Sequence, residues 1–399
     1  MRRRDFLAAA AATAAPAQPG KKRIAGLAST YHVRSHSDNF ITRFLEGYWI
    51  NDEFHEPPFG LASLYMDQIH PADIGQRLSM AYGFPVKKTI AEALTLGTGK
   101  LAVDGVLLIC EHGNFPHNEK NQQLYPRYEY FEQVVNVFRA SGRSCPVFVD
   151  KHLSYDWEKA KRMYDWSVEL KFAFMAGSSV PITFRRPSID PPAGAPMESA
   201  LSVGGGWVAD GGIFHILETL QAFAERRQGG ETGVRAVQQL RGAEVWRAAE
   251  RGLWRRDLLD AALSRGLKVA PGNPEQVKDP VLSVVEYRDG FRAAALALGG
   301  MVSEYLVAWK LRDKKEIDST LCYIPIENSN NFSMLVHGIR RMIETGTPPY
   351  SVHRTLLVTG ALAALMDSGH KGGRHTPTPH LNIAYKPAAK SWFAPGEGS

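Results

Sequence analysis

Short apolar runs alternate with amphipathic segments from residue 21 to about residue 177. The amphipathic segments predict helices, and the clearest spans Tyr128 to Ala140, with Phe131, Val134 and Phe138 at helical spacing. The apolar runs are typical of buried strands and are RIAGLA (23–28), LASLYMDQ (61–68), VDGVLLIC (103–110), CPVFVD (145–150) and FAFMAG (172–177). Because strands that alternate with helices form parallel sheets covered on both faces, residues 21–180 are expected to be a Rossmann-type α/β domain.

The pattern changes after about residue 180. The run VLSVVEYRDGFRAAALAL (281–298) predicts two strands joined by an Asp-Gly turn. Helical patterns occupy Gly212–Glu225, Val234–Leu263, Met334–Glu344 and Val352–Met366. We therefore expect residues 181–386 to form an α+β domain with a mostly antiparallel open sheet, followed by a loose tail over residues 387–399.

Composition adds limits to this picture. A chain of 399 residues suggests two domains, and 44% hydrophobic and 22% charged residues are typical of an ordinary globular protein. The net charge of +6 is scattered, and the near-helical spacing of Arg247, Arg251, Arg255 and Arg256 favours a solvated helix face over a nucleic-acid surface. No stretch reaches the roughly 18 apolar residues of a membrane span, so neither nucleic acid nor membrane is an expected partner.

The first 20 residues, MRRRDFLAAAAATAAPAQPG, have the composition of a signal peptide. A basic start precedes an alanine-rich apolar run that is too short to cross a membrane. Arginines followed by Asp-Phe-Leu indicate the twin-arginine type, with an ordinary secretory signal as the alternative. The expected location is therefore the periplasm or the exterior.

Polar and ionisable residues follow the apolar strands at their carboxyl ends, where open α/β sheets bind their ligands. The first strand contains Gly26 and leads into Ser29, Thr30 and Tyr31. The later strand ends carry Asp67, Glu111, His112, Asp150, Lys151 and His152. This clustering predicts a site along one edge of the first sheet.

The order of motifs resembles the Gfo/Idh/MocA family, which includes glucose–fructose oxidoreductase and inositol dehydrogenase. The similar segments, spread over about residues 22 to 385, are AYGFPV, VDGVLLI with a histidine-bearing loop, CPVFVDKHLSYDWEKAKRMYDW, GGGWVADGGIFHILETL and PPYSVHRTLLVTGALAALMDSG. The resemblance implies oxidation or reduction of a secondary alcohol in a sugar or cyclitol, with NAD(P) as cofactor. It also implies a homo-oligomer assembled through the open sheet of the second domain.

The resemblance assigns roles to individual residues. Lys151 matches the lysine of the family's Glu-Lys-Pro motif, and His215 looks like its catalytic histidine. Asp210 resembles the acid near that histidine, and Glu218 replaces a later aspartate. These four form the candidate catalytic set, and the candidate cofactor-binding residues are Gly26, Ser29, Thr30, Tyr31, Asp67, Glu111 and His112.

The sequence also departs from the family pattern. After Gly26 the two further glycines of a dinucleotide turn are missing, although they allow the backbone to approach a pyrophosphate. Asp67 lies 41 positions after Gly26 instead of about 20, and residues 48–60 look inserted. Asp210 precedes His215 by five positions rather than four, which turns a helical side chain by about 100°.

These departures keep two other functions open. His112, His117 and Glu119 could supply three ligands of a metal ion with one open position, as in catalytic zinc sites. The chain would then be a cofactor-independent or metal-assisted sugar hydrolase or lyase. The other alternative is a non-catalytic sugar-binding protein on the same scaffold.

Overall fold

The computed structural model describes residues 21–205, 210–325 and 329–398. The expected signal peptide, residues 1–20, lies outside the described residues. Within them, the chain forms a six-stranded sheet, an eight-stranded sheet and a two-stranded hairpin, with helices packed on both sheets.

The six-stranded sheet confirms the Rossmann-type prediction. In chain order, the strands of this first part are β1 (Arg23–Ala28), β2 (Tyr48–Ile50), β3 (Glu53–His55), β4 (Gly60–Met66), β5 (Val86–Lys87), β6 (Gly105–Ile109), β7 (Val147–Asp150) and β8 (Phe174–Gly177). The sheet has the order β5-β4-β1-β6-β7-β8, and every pair in it is parallel. This is the order of dinucleotide-binding sheets, in which the strand order reverses between β1 and β6.

Five helices cover this sheet, and their ends follow local sequence signals. They are α1 (His36–Glu46), α2 (Gly75–Tyr82), α3 (Ile90–Thr95), α4 (Arg127–Ser141) and α5 (Trp157–Glu169). Ser35 caps α1, and Thr89 and Glu92 form a capping box on α3. In α4, the predicted stripe of Phe131, Val134 and Phe138 is fully buried. The inserted segment between α1 and β4 folds as the β2–β3 hairpin.

The eight-stranded sheet confirms the mostly antiparallel prediction. Its strands are β9 (Phe184–Arg186), β10 (Met197–Gly204), β11 (Val234–Arg241), β12 (Val281–Tyr287), β13 (Arg292–Ala297), β14 (Tyr305–Leu311), β15 (Ile317–Tyr323) and β16 (Thr376–Pro377). The order is β16-β11-β12-β13-β10-β14-β15-β9. Among the described strands of this sheet, only β10 and β13 pair in parallel. The expected Asp-Gly turn joins β12 and β13.

Helices cover both faces of this second sheet. The helices of this part are α6 (Asp210–Ala224), α7 (Ala243–Glu250), α8 (Arg256–Leu263), α9 (Asn331–Thr345) and α10 (Val352–His370). α6 and α10 pack on one face, while α7 and α8 bury the other under Trp246, Trp254 and Leu258. The chain's own helices therefore cover the sheet face through which the resemblance implies oligomer assembly.

Two expected elements of the second half are wrong. The helix predicted over Val234–Leu263 is a strand, β11, followed by α7 and α8. β11 is VRAVQQLR, whose apolar residues satisfy strand spacing, and Gly242 at φ 60° ends it. The arginines of α7 and α8 are exposed and pair with carboxylates, as Arg247 and Arg251 do with Glu244.

The tail is not loose. Ala394 is buried and its backbone N–H donates to the Ile182 carbonyl at 2.9 Å, while Arg186 donates to the Glu397 carbonyl at 2.7 Å. The preceding helix α9 also returns to the first sheet, where Phe332 lies edge-on to Phe40 of α1 with 5.1 Å between ring centroids. The C-terminal segments therefore complete the core of the first part of the chain.

Candidate functional site

A cavity of about 110 Å³ opens at the carboxyl ends of β7 and β8, where α6, α9 and β14 approach the first sheet. Its wall combines amine, imidazole, aromatic and amide side chains, which are His36, Lys151, His215, Tyr305, Asn331 and Phe332. A polar cavity of this size with aromatic walls suits a small hydroxylated molecule. We call it the catalytic cavity.

Lys151 and His215 meet inside this cavity, as the resemblance implies. Lys151 follows β7 with a φ of 70°, and its backbone N–H donates to the Gly177 carbonyl at 3.2 Å. This arrangement turns the side chain toward α6, where Lys151 Nζ lies 2.6 Å from His215 Nε2. Both side chains are largely shielded from solvent, so their interaction is stronger than at a surface.

Ser178 holds the other side of the His215 ring. Ser178 Oγ lies 2.6 Å from His215 Nδ1, and its backbone N–H donates to Glu218 Oε2 at 2.5 Å. The second oxygen of Glu218 accepts from Thr355 Oγ1 at 2.6 Å. Glu218 therefore does not contact the histidine and instead fixes the serine that orients it.

Gly177 makes this contact possible. A Cβ at this position, where φ is 126°, would lie 2.6 Å from Glu218 Oε1. The carboxylate occupies the space that any side chain at the end of β8 would need. The strand end FMAG followed by Ser178 therefore encodes the support of His215.

Burial sets the protonation of these groups. Burial, together with the charge of Lys151, holds the pKa of His215 well below its usual range, so its ring is neutral at neutral pH. A neutral ring can accept from the Lys151 ammonium and donate through Nδ1 to Ser178. Burial raises the pKa of Glu218 to about 7, so this carboxyl titrates near neutrality.

Asp210 does not have the role that the resemblance gives it. The first turn of α6 carries Asp210, whose carboxylate accepts from the Gly211 N–H at 2.9 Å and lies 3.8 Å from His152 Nε2. It contacts neither Lys151 nor His215, because the extra residue in the spacing turns it to another side of the helix. Ser178 orients the histidine in its place.

A second buried charge network borders the cavity. Asp150 Oδ2 lies 2.6 Å from His36 Nδ1, and burial raises the pKa of Asp150 to about 6. Arg127 donates to Glu111 Oε2 at 2.7 Å. Burial alone would raise the pKa of Glu111, but the positive charges of Lys151 and Arg127 outweigh it and lower that pKa.

The turn after β1, residues 29–35, differs from a dinucleotide turn in its packing. Tyr31 is fully buried, and its hydroxyl lies 2.8 Å from Thr42 Oγ1. Gly26 lies within β1, where a Cβ would be 3.0 Å from Ile41 Cδ1, so its role is to let α1 approach the sheet. The packing of both residues therefore gives no support to their predicted contacts with a cofactor. Ser29 is also buried, and its Oγ donates to the Glu111 carbonyl at 2.8 Å.

The backbone donors of this turn are used internally. Ser35 Oγ accepts from the N–H groups of His32 and Asp38, both at 3.2 Å. The Arg34 N–H donates to Asp38 Oδ2 at 2.8 Å. The N–H groups of His32, Arg34 and Asp38 are therefore not free to hold a pyrophosphate.

Imidazole rings occupy the crevice between β1 and β6, where the strand order of the sheet reverses. The ring centroids of His32 and His70 are 4.2 Å apart, those of His32 and His112 are 5.6 Å apart, and those of His36 and His112 are 5.4 Å apart. Two buried polar atoms here, Thr30 Oγ1 and His112 Nε2, have no hydrogen-bond partner among the described residues. We call His32, His70 and His112 the histidine cluster.

Asp67 lies where the resemblance expects the acid that holds a ribose. It follows β4, is exposed, and accepts from Tyr65 at 3.2 Å and Gln68 at 3.3 Å. Together with the orphaned atoms of the crevice, Asp67 fits a dinucleotide whose phosphates are held by side chains rather than by a glycine turn. Asp67 and these orphaned atoms are the groups of the crevice that could hold NAD(P).

The metal site that His112, His117 and Glu119 could form is not present in the described residues. His117 and Glu119 are exposed, and His112 points into the crevice with its φ at 69°. Across residues 21–205, 210–325 and 329–398, no group of three or more His, Cys, Asp or Glu side chains could hold a metal ion. The loop separates these residues because its His117 pairs with Gln123 in a short bridge.

Several residues of the site were not predicted from the sequence. Ser178 directly follows a predicted strand, so the rule that ligands bind at strand ends would have identified it. Asn331, Tyr305 and Phe332 come from the second half of the chain, and no local pattern marks them.

None of the helices in the described part of the chain combines the length and apolar character that crossing a bilayer requires.

Comparison with known proteins confirms the fold. No protein-family model matches the chain, and no curated protein matches its sequence. Solved structures do match: GenD2 from gentamicin A biosynthesis in complex with NAD has a TM-score of 0.56 at 12% identity, covering 92% of this chain and 99% of that one. Levoglucosan dehydrogenase in complex with NADH has a TM-score of 0.54 at 12% identity, with 90% and 100% covered.

The scyllo-inositol dehydrogenase of Lactobacillus casei is similar to the same degree. Its TM-score is 0.53 at 10% identity, and the match covers 90% of this chain and 98% of that one. The chain thus has the fold of the Gfo/Idh/MocA-type dehydrogenases over nearly its whole length. At these identities the match establishes the architecture, and the chemistry has to be argued from the site.

Proposed function

We propose that this protein is an oxidoreductase that oxidises or reduces a secondary alcohol of a sugar or cyclitol with NAD(P). One observation carries the proposal: Lys151 Nζ and His215 Nε2 lie 2.6 Å apart in a polar cavity beside the dinucleotide crevice. Structures of the same fold that contain NAD or NADH support the cofactor, and their names support the substrate class.

The bound nicotinamide would supply the hydride acceptor, and the chain would handle the proton. Oxidation of an alcohol removes a hydride from carbon and a proton from oxygen. The hydroxyl proton passes to the Lys151–His215 pair, in which neutral His215 accepts a proton at Nε2 from Lys151 as Lys151 takes one from the substrate. Ser178 keeps the ring oriented during this transfer through its contact with Nδ1.

The cavity wall would select the substrate. The buried Asn331 donates from Nδ2 to Ser179 Oγ at 2.9 Å, which leaves Asn331 Oδ1 without a partner among the described residues. This oxygen can accept from a substrate hydroxyl. Tyr305 and Phe332 offer aromatic surface to the C–H faces of a ring.

The activity can be tested with a panel of sugars and cyclitols. The purified protein is incubated with NAD⁺ or NADP⁺, and reduced nicotinamide is followed by absorbance. We expect turnover of at least one ring polyol, and binding of one dinucleotide with a stoichiometry of one. Neither turnover nor a thermal shift with any of the four oxidised and reduced dinucleotides would rule the proposal out.

We further propose that the protein is exported to the periplasm through a twin-arginine signal. The support is the sequence of residues 1–20, with arginines at positions 2 to 4 before Asp-Phe-Leu. A reporter that fluoresces only when folded before export, fused to residues 1–20, should reach the periplasm. Replacement of Arg3 and Arg4 by lysine should prevent this.

A further inference from the structure

The histidine cluster lies where a dinucleotide-binding sheet holds its pyrophosphate. His32 follows β1, His70 follows β4 and His112 follows β6, so three neighbouring strand ends converge on one place. In the strand order β5-β4-β1-β6, this place is the crevice at which the strand order reverses. Ligands of such sheets bind there. The rings are in mutual contact, with centroids 4.2 and 5.6 Å apart.

Two backbone N–H groups of the turn after β1 are already bonded and cannot hold a phosphate in this crevice. The His32 and Arg34 N–H groups donate to Ser35 Oγ and Asp38 Oδ2. Buried Tyr31 fills the turn, and no glycine follows Gly26 that would let the chain approach an anion. Side chains around the crevice are therefore needed to replace the contacts that a glycine turn would make with a phosphate.

The imidazoles have nitrogen atoms available for that task. His70 Nδ1 accepts from the Ala72 N–H at 3.0 Å, so the neutral ring carries its proton on Nε2, which is a donor. His32 Nδ1 donates to the Val33 carbonyl at 3.2 Å, so His32 Nε2 becomes a donor only when the ring is protonated. His112 Nε2 is buried and has no partner among the described residues.

We infer that His32, His70 and His112 bind the pyrophosphate of a dinucleotide in place of the glycine turn. The ligand class is a phosphate-bearing anion, and the inference rests on the proposed function for its identity as NAD(P). Imidazolium donors make charge-assisted hydrogen bonds to phosphate oxygens, which are stronger than those from neutral donors. The exposed Arg34, beside His32 in the same turn, adds positive charge at the entrance.

Proton uptake accompanies this mode of binding. Two rings 4.2 Å apart cannot both be charged at low cost unless an anion lies between or beside them. Burial also lowers the pKa of His112 in the ligand-free protein. A phosphate bound beside the rings favours their protonated form, so affinity increases as pH falls and weakens as pH rises.

Other charged groups face the cluster and set its field. Lys151 and Arg127 are positive, whereas Glu111, Asp150 and Asp73 can carry negative charge, and His36 contacts His112. Burial raises the pKa of Asp150 to about 6, at the lower end of the pH range of interest. Protonation of Asp150 below pH 6 removes a negative charge and acts in the same direction as protonation of the rings.

The test is a binding titration of inorganic pyrophosphate and of NADH between pH 6 and pH 8, by calorimetry. The variants are His70→Gln and His112→Asn, the latter because asparagine tolerates the φ of 69° at this position. The control is His370→Gln, at the exposed end of α10. We expect both ligands to compete and to bind about tenfold more tightly at pH 6, with each variant about tenfold weaker there than wild type and the control unchanged.

The possible outcomes separate this inference from the proposed function. Binding of pyrophosphate with the expected pH dependence, without NADH binding, would support the anion site and reject the dinucleotide function. NADH binding that keeps its affinity and pH dependence in both variants would overturn the inference and leave the function standing. Stoichiometric Zn²⁺ binding that both variants lose and pyrophosphate does not displace would also overturn it, because the cluster would then be a metal site.

Discussion

The catalytic cavity and the histidine cluster lie along the same edge of one sheet but differ in what they retain of the family pattern. In the cavity, Lys151 and His215 meet as the resemblance implies, at 2.6 Å. In the crevice, buried Tyr31 and the internally bonded turn replace the glycine grip. The difference indicates that a contact between two side chains can be kept when its supports change, whereas a backbone turn no longer approaches a ligand once side chains fill its space.

Support of the histidine follows the same principle. Asp210 has moved out of reach of His215, and Ser178, held by Glu218, contacts the ring instead. The orienting contact is therefore kept with different residues. If this account is right, changes in the cavity should affect the chemical step, and changes in the crevice should affect binding or stability.

The largest effect is expected for Lys151→Met, which keeps the length of the side chain and removes its charge and proton. We expect kcat to fall about a thousandfold, within the range for loss of a general acid–base group. The control is Lys161→Met on the exposed face of α5, where Lys161 pairs with Asp165. Activity of Lys151→Met within tenfold of wild type would place the proton transfer elsewhere.

Glu218→Gln tests the buried carboxyl behind Ser178 through stability. Because the pKa of Glu218 is raised to about 7, the folded state holds its proton more tightly than the unfolded chain. Protonated Glu218 therefore contributes its full stabilisation of the folded state below about pH 4.5. As pH rises through 7, the free energy of unfolding falls by up to about 3 kcal/mol. Urea unfolding at several pH values should show this loss in wild type and a flatter profile in the variant. Equal slopes for both proteins would show that Glu218 ionises normally.

His215→Asn tests the second member of the proton-transfer pair. We expect kcat to fall about a hundredfold with little change in KM for the sugar. Since burial keeps the pKa of His215 low, wild-type activity should fall only at a pH below the usual histidine range of about 6.5. The residual activity of the variant should not show this fall at low pH. If the variant loses activity at the same low pH as wild type, the titrating group is a residue other than His215.

Tyr31→Phe should have the smallest effect and sharpens the contrast between the regions. Loss of the hydrogen bond to Thr42 should lower the free energy of unfolding by about 1 kcal/mol. KM for the dinucleotide should stay within twofold of wild type, because the ring lies in the core. A tenfold rise in KM without a loss of stability would return Tyr31 to the cofactor site.

Much of the fold could be predicted from the sequence because buried parallel strands are continuous apolar runs. VDGVLLIC and CPVFVD became β6 and β7, and the run ending in Gly177 became β8. The strand β11 was taken for the start of a long helix because α7 and α8 follow it almost directly. β10 was missed because it follows the Pro- and Gly-rich stretch over residues 187–196.

The site was predictable only where one residue carries the signal. Motifs mark Lys151 and His215 as candidate residues, and the structure places them in contact, while their catalytic roles stay predictions. The burial of Tyr31 depends on Thr42 and Gly75, which are brought together only by packing of α1 and α2. The histidine cluster likewise joins three loops that are distant in sequence, so no spacing rule could reveal it.

The most direct test of the account is transfer of a deuterium from substrate carbon to nicotinamide. A ring polyol that the panel identifies would carry deuterium at its reacting carbon, and the nicotinamide would be analysed by mass spectrometry after one turnover. The account predicts that wild type yields singly deuterated reduced nicotinamide and that Lys151→Met yields about a thousandfold less per unit time. Consumption of the polyol without deuterium in the nicotinamide would contradict it.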